Sequence, residues 1–366
     1  KAVAVSDHRP DLLSGSGTSP TASSGGVMPT SSTRHGLGPT ERTEPVLAVD
    51  IGASRIRAAV VEQATIRIID FSEAPTPQSP DPEAIPSSVV RLVKGLAGLD
   101  RVRRAGVASI GPIDSRRGVI VLAPNVAGRP RSIPVADVLK RELGLEEVYM
   151  ANDCNAAAYA EHLARSGRER HDLLYVTVST GIGGGAVVEG RPLLGSRGNA
   201  AEIGHCVVDP SGYMRCGCGG RGHWEAYCSG KNMPEYARRL AEDGEIPAGS
   251  MLHNLVLRGG AGPREIFELY RIYDPSSRPF FERMATLMAA GLSTAINLFA
   301  PDVLVMGGAV YLGNEDFFRA EVFPRLRDFL MFDEPRIEGP AFGERSPLMG
   351  AALLAANRVN AARVEL

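Results

Sequence analysis

The stretch Glu202–Glu225, EIGHCVVDPSGYMRCGCGGRGHWE, concentrates residues that can do chemistry. Cys216 and Cys218 form a Cys-x-Cys pair, His205 and His223 stand on either side, and Glu202 and Glu225 close the ends. Thiolate sulfur and imidazole nitrogen suit a borderline-soft cation, and a structural zinc site holds four such ligands tetrahedrally. Zinc is therefore the expected ion. A glycine-rich surface loop that happens to carry two thiols is the plainer alternative.

Two further acids stand where the chain turns. Asp50 ends the apolar run VLAVD beside the turn residues Gly52, Ala53 and Ser54. A carboxylate there suits Mg²⁺ on nucleotide phosphates, because that hard cation prefers oxygen; a turn-forming Asp fits the local sequence too. Asp153 ends a second apolar run and opens an Ala-rich helical segment, a place for a general base that takes a proton from an attacking hydroxyl. Local sequence alone allows a simple helix N-cap equally well.

These residues need elements to position them. The 366 residues exceed what one core usually serves, so two domains are expected. Hydrophobic residues at 44% and charged residues at 22% fit a globular chain. A net charge of −2 offers no electrostatic footprint for nucleic acid. No apolar run reaches the roughly eighteen residues of a membrane span, and five cysteines fit reduced thiols plus a metal better than a disulfide framework. A cytoplasmic protein is expected, with no nucleic-acid or membrane partner.

Residues 1–44, rich in Ser, Gly, Thr and Pro, read as a flexible tail. From Pro45 the pattern predicts a glycine-tipped hairpin over 46–62, a helix over 83–99, a strand at 105–111, a helix at 135–143, and a buried strand leading into Asn152-Asp153. A second glycine hairpin follows at 173–190, around Thr180, Gly181, Gly183 and Gly184. Residues 231–298 read as helical, DVLVMGG at 302–308 as a buried strand delivering Gly307 and Gly308, and Ser346 onward as a last helix. Glycine tips let the main chain approach a phosphate and aim amides at it, although they are more often plain turns. Neither tip is a Walker loop or a dinucleotide fingerprint.

Taken in order, VDIGASRIRAAVVE, GVASIGPID, APN, NDCNAAAYAE, TVSTGIGGG, GNAAEIGH, CGCGGRGHWE and PDVLVMGG resemble the ROK family of sugar kinases and sugar-responsive repressors, over about residues 45–358. The resemblance implies an α/β fold of two actin-like (ribonuclease H-like) domains with a cleft between them. The smaller would be 45–153 plus 346–366 and the larger 154–345. It further implies an ATP-dependent kinase of a hexose, amino sugar or cyclitol, with Asp153 as base and Asn125, Asn152, Asp153, Glu202, His205 and Glu225 facing the sugar. Mg-ATP would meet Asp50, Gly52, Ala53, Ser54, Thr180, Gly181, Gly183, Gly184, Gly307 and Gly308. Structural zinc would take His205, Cys216, Cys218 and His223, with Cys206 and Cys228 as rivals for the fourth place; a homodimer is typical.

Three motifs depart from the family pattern. Ala53 replaces a glycine and is followed by Ser54 rather than Thr. Gly111-Pro112 inverts a Pro-Gly, and His223 replaces a cysteine. A sugar-responsive regulator is the alternative from another class, although the residues before the first hairpin show no recognition-helix pattern. An idle sugar-binding protein is the third reading.

Overall fold

The computed structural model describes residues 44–165 and 171–359. The predicted tail therefore lies outside the described residues, apart from Glu44. In chain order, β1 (Val46–Ile51), β2 (Arg55–Glu62) and β3 (Arg67–Pro75) form a meander, followed by α1 (Ala84–Val93) and β4 (Arg104–Ser109). The short strands β5 (Ile113–Asp114), β6 (Val119–Leu122) and β7 (Arg131–Ile133) precede α2 (Val135–Leu143), β8 (Glu147–Asn152) and α3 (Asp153–Arg165). A second meander, β9 (Leu173–Val178), β10 (Ile182–Val188) and β11 (Arg191–Pro192), leads into the cysteine-rich loop. Helices α4 (Glu225–Cys228), α5 (Met233–Glu242), α6 (Met251–Leu257), α7 (Pro263–Arg271) and α8 (Arg278–Phe299) follow. The chain closes through β12 (Val303–Gly307), α9 (Ala309–Leu312), α10 (Glu315–Phe317), β13 (Arg336–Glu338) and α11 (Ser346–Ala356).

Two five-stranded sheets repeat one topology, β3-β2-β1-β4-β8 and β11-β10-β9-β12-β13. In each, an antiparallel hairpin gives way to parallel strands. Parallel strands are covered on both faces and so read as unbroken apolar runs; β1, β4 and β12 are buried at every position. This repeat is the actin-like α/β arrangement that the sequence implies. The third strand of the first meander, β3, was not foreseen. Its half-exposed residues alternate weakly, and a bulge shifts its register at Val60/Val61.

Helix α3 lies between the two sheets, which explains its composition. Ala156, Tyr159 and Ala160 pack with α11 and the first sheet, while Cys154, Ala157 and Ala158 pack with β9, β10 and β12. Close approach on two faces accounts for the alanines at 156, 157, 158 and 160. A Cβ at Gly350 would come within 2.0 Å of the Ala156 carbonyl oxygen, and one at Gly185 within 2.3 Å of the Cys154 carbonyl oxygen. The first sheet's other face is filled by α1 and α2, and the second sheet's by the helices from α4 to α10.

Candidate active site

Register places the acids. Ile51 pairs with Ser109 and Ser109 with Asn152 across three parallel strands, so Asp50 and Asp153 emerge at the same carboxyl-end edge of the first sheet. Ligands of open α/β sheets bind outside that edge. Asp50 is 5% exposed, and its Oδ2 accepts a hydrogen bond from Arg57 Nη1 at 3.2 Å. Burial, reinforced by the charge of Asp153 and opposed by Arg57, pushes its pKa up to about 7. Burial also raises Asp153, against the hydrogen bond that its Oδ1 accepts from Cys154 N at 2.8 Å. Asn152 Oδ1 accepts from the same amide at 2.9 Å, which holds the two neighbouring side chains over the first turn of α3.

The chain after the second meander contributes two more carboxylates, from the loop before His205 and the start of α4. Glu202 follows Ala201, whose φ of 62° lies in the left-handed region, a strained setting for a residue with a Cβ. Its pKa is pushed up to about 7, first by desolvation, then by Asp153 and Glu225. Four acids from both sheets thus converge, and at least two of them are held near neutrality. Glu225, at the start of α4, accepts a hydrogen bond from Ile182 N at 3.0 Å, so the cysteine-rich loop is tied to the tip of the second hairpin. Asn125 is exposed in the turn after β6, and no hydrogen bond seen among the described residues joins it to these carboxylates.

The glycine tips have partly different reasons. Gly52 N donates to Arg55 O at 2.9 Å, and a Cβ there would stand 2.9 Å from that oxygen, so this turn requires glycine. Ala53 is not at positive φ, and its methyl is accommodated. Gly111 has φ 77° and would place a Cβ 2.1 Å from the Leu122 carbonyl, so the inverted Gly111-Pro112 order fits the local backbone. At Gly181 a Cβ would meet Glu225 Oε2 at 2.6 Å; at Gly183 it would meet Cys154 Sγ at 2.5 Å, and at Gly184 the Ile203 side chain at 2.5 Å. Gly183 and Gly184 let β10 approach the helix of Asp153 and the segment after Glu202, and Gly181 makes room for the Glu225 carboxylate. That packing reason stands apart from any phosphate. Gly308, at φ 91°, packs 2.4 Å from the Val178 carbonyl by the same measure, and Gly307 faces the Tyr175 hydroxyl. Thr180 and Ser54 are exposed at their tips.

His205, Cys216, Cys218 and His223 come together, each offering one ligand atom, all within 4.8 Å of one another. Cys216 Sγ lies 3.7 Å from His205 Nδ1, and Cys218 Sγ 3.3 Å from His223 Nδ1. With Zn–S near 2.3 Å and Zn–N near 2.0–2.1 Å, a tetrahedron has S···N edges of about 3.5 Å, so the donor set fits that ion. Gly220 N points at Cys218 Sγ at 3.5 Å, and two isolated bridges, Val207 with His223 and Arg215 with Arg221, shape the loop. Of the rivals, Cys228 is fully buried against α8, its Sγ 3.8 Å from the Met284 carbonyl oxygen, and Cys206 is outside the cluster. Trp224 is wholly buried on Gly291 of α8. His205 turns its other ring nitrogen, Nε2, toward Glu202 at 3.9 Å.

Sequence reasoning missed Arg57. Its guanidinium reaches Asp50, Glu344 at 3.3 Å and Glu73 at 3.7 Å. The period-two alternation of β2 could have flagged an arginine beside the exposed Arg55, but its partners lie on three separate elements.

The profile of the ROK family matches residues 46–358. A glucokinase of Aeropyrum pernix is 39% identical over 320 residues, covering 85% of this chain and 96% of its own length. An N-acetylmannosamine kinase of Salmonella typhi is 32% identical over 314 residues, 84% of this chain and 97% of that one. Among solved structures, a ROK family glucokinase from Streptomyces griseus in complex with glucose and AMPPNP superposes with a TM-score of 0.67 at 31% identity, covering 85% of this chain and 99% of that chain. With motifs, paired sheets and near-full-length relatives in agreement, the chain belongs to the ROK family.

Proposed function

We propose that the chain is an ATP-dependent kinase of a hexose-type sugar, with Asp153 as the general base. The observation that carries this reading is the convergence of Asp50, Asp153, Glu202 and Glu225 from both sheets on one place. Similarity to a glucokinase and an N-acetylmannosamine kinase along nearly their whole length supports it.

Phosphoryl transfer asks the protein for positioning and charge neutralisation more than for covalent help. A sugar hydroxyl hydrogen-bonded to Asp153 would pass its proton to that carboxylate as its oxygen attacks the terminal phosphorus in line, while the bond from that phosphorus to the bridging oxygen breaks and ADP leaves. The raised pKa of Asp153 suits the role, since a base works best with an affinity near the operating pH. Glu202, Glu225 and Asn152 offer acceptors and a donor for further hydroxyls, and His205 offers Nε2. Asp50, with Arg57 behind it, would hold Mg²⁺, which supplies charge neutralisation at the transferred phosphate. The turns at Gly52–Ser54 and Thr180–Gly184 would approach the phosphates, and Gly307–Gly308 the adenosine. Zinc on His205, Cys216, Cys218 and His223 would be structural, leaving no open position for chemistry. It would fix the loop between Glu202 and Glu225.

A coupled assay of ADP release over glucose, N-acetylmannosamine, other amino sugars and cyclitols tests the reading. Turnover with one sugar at kcat above about 1 s⁻¹, in the usual enzyme range, is the expected result. Absence of turnover with every sugar would overturn the reading and leave the sugar-responsive regulator and the idle sugar-binding protein.

A further inference from the structure

The chain crosses between the two sheets twice. The first crossing is α3, which leaves β8 of the first sheet and leads to β9 of the second. The second is the segment from Gly339 to Arg345, which leaves β13 and enters α11 on the first sheet.

One ion pair on α3, with Glu161 wholly buried and Arg165 partly so, holds the second crossing. Glu161 has no exposed side-chain surface. Its Oε2 accepts from Ala341 N at 2.7 Å and from Arg165 Nη1, and its Oε1 accepts from Ser346 Oγ at 2.6 Å and from Phe342 N at 3.3 Å. Arg165, one turn further, donates from Nε to Glu338 at 2.8 Å and from Nη2 to the Gly339 carbonyl oxygen at 2.6 Å. The pair therefore grips the segment from its first residue to the start of α11. Removing Arg165 would leave the wholly buried Glu161 charge uncompensated, and removing Glu161 would free the Ala341 and Phe342 amides, so either change is costly.

This grip bears on chemistry because of where α3 begins. Asp153 is its first residue and Glu161 lies two turns later on the same helix. Asp50 comes from the first sheet, whereas Glu202, Glu225 and the Thr180–Gly184 tip belong with the second. The relative setting of the sheets thus decides whether base, magnesium-side acid and sugar-side acids meet, and a misplacement of about 1 Å can cost a hundredfold in rate.

We propose that Glu161 and Arg165 are positioning residues for phosphoryl transfer, binding the two crossings to each other and so setting Asp153 of one sheet against the loops of the other. The role rests on the kinase reading above. It is tested in the full chain by Glu161→Gln, Arg165→Met and the double variant, with whichever sugar or cyclitol of the screen above the wild type turns over as substrate beside Mg-ATP. Expected are a loss of at least tenfold in kcat with KM for the sugar within threefold, a double variant no worse than the poorer single one, and faster hydrogen exchange at the Ala341 and Phe342 amides.

A folded Glu161→Gln protein with faster exchange at those amides and unchanged kcat overturns the role. Should that variant not fold, Arg165→Met, whose side chain reaches solvent, carries the same two readings. A wild-type chain that phosphorylates none of the sugars and cyclitols of that screen defeats the kinase reading and this role with it. An active wild type beside indifferent variants defeats the role alone.

Discussion

Asp50→Asn trades stability against activity in a pH-dependent way. In the free protein the Asp50 carboxyl is buried, and its pKa moves from 3.8 to about 7. A carboxyl bound more tightly to its proton in the folded state than in the unfolded one stabilises the fold below the unfolded value. That contribution is lost as pH rises through the folded value. The full span corresponds to about 4 kcal/mol at 1.36 kcal/mol per pH unit. Between about 1 and 2 kcal/mol of it is already gone by pH 5, because the unfolded carboxyl ionises near pH 4. Asparagine matches the protonated carboxyl in shape and never ionises. The variant's advantage over wild type should therefore grow by about 2–3 kcal/mol between pH 5 and pH 8. Arg57 loses one partner but keeps Glu73 and Glu344, and burial outweighs its attraction in setting the direction of the shift. Urea unfolding of both proteins at the two pH values, without added divalent cation, measures the difference. An advantage that stays flat or reverses toward pH 8 would refute the account of Asp50 as a carboxylate strained by burial. The same variant should lose turnover with Mg-ATP, since its amide is a poor ligand for magnesium.

The other predictions concern the base, the metal and the packing. Asp153→Asn should lower kcat by about 10²–10⁴-fold while sugar affinity, read by calorimetry, changes only a few-fold; retained turnover would remove it from the base role. Zinc measured by elemental analysis should fall well below one ion per chain in His223→Ala and stay near one in Cys228→Ala, and full occupancy in the first would defeat the proposed ligand set. Gly185→Ala drives a methyl against the Cys154 carbonyl oxygen and should destabilise by about 1–3 kcal/mol or more, seen as a lower urea midpoint; an unchanged midpoint would mean that α3 and β10 are free to separate.

Much of this protein was legible because its signals are local. The helix at 135–143 and the hairpin at 173–190 follow from apolar periodicity and turn residues, and the helix from Ser346 from its apolar run. The four metal-type ligands lie within nineteen residues of one another, from His205 to His223, so spacing alone could suggest that they meet. The short sheet of β5, β6 and β7 was unreadable, since strands of two to four residues carry no period.

The sequence by itself determined which residue types could act: an acid at the end of each of two buried strands, glycine tips, and a thiol–imidazole cluster. Only the tertiary structure decided which of them meet. Strand register set Asp50 and Asp153 on one edge, and Glu225 was tied to Ile182 across 43 residues. It also gave the glycines of β10 their packing duty, and it joined Glu161 to a segment 180 residues away. The physical reason is that periodicity and turn chemistry are properties of neighbours along the chain. Burial, charge pairing and close backbone approach depend on neighbours in space, which the packing of α3 between two sheets creates.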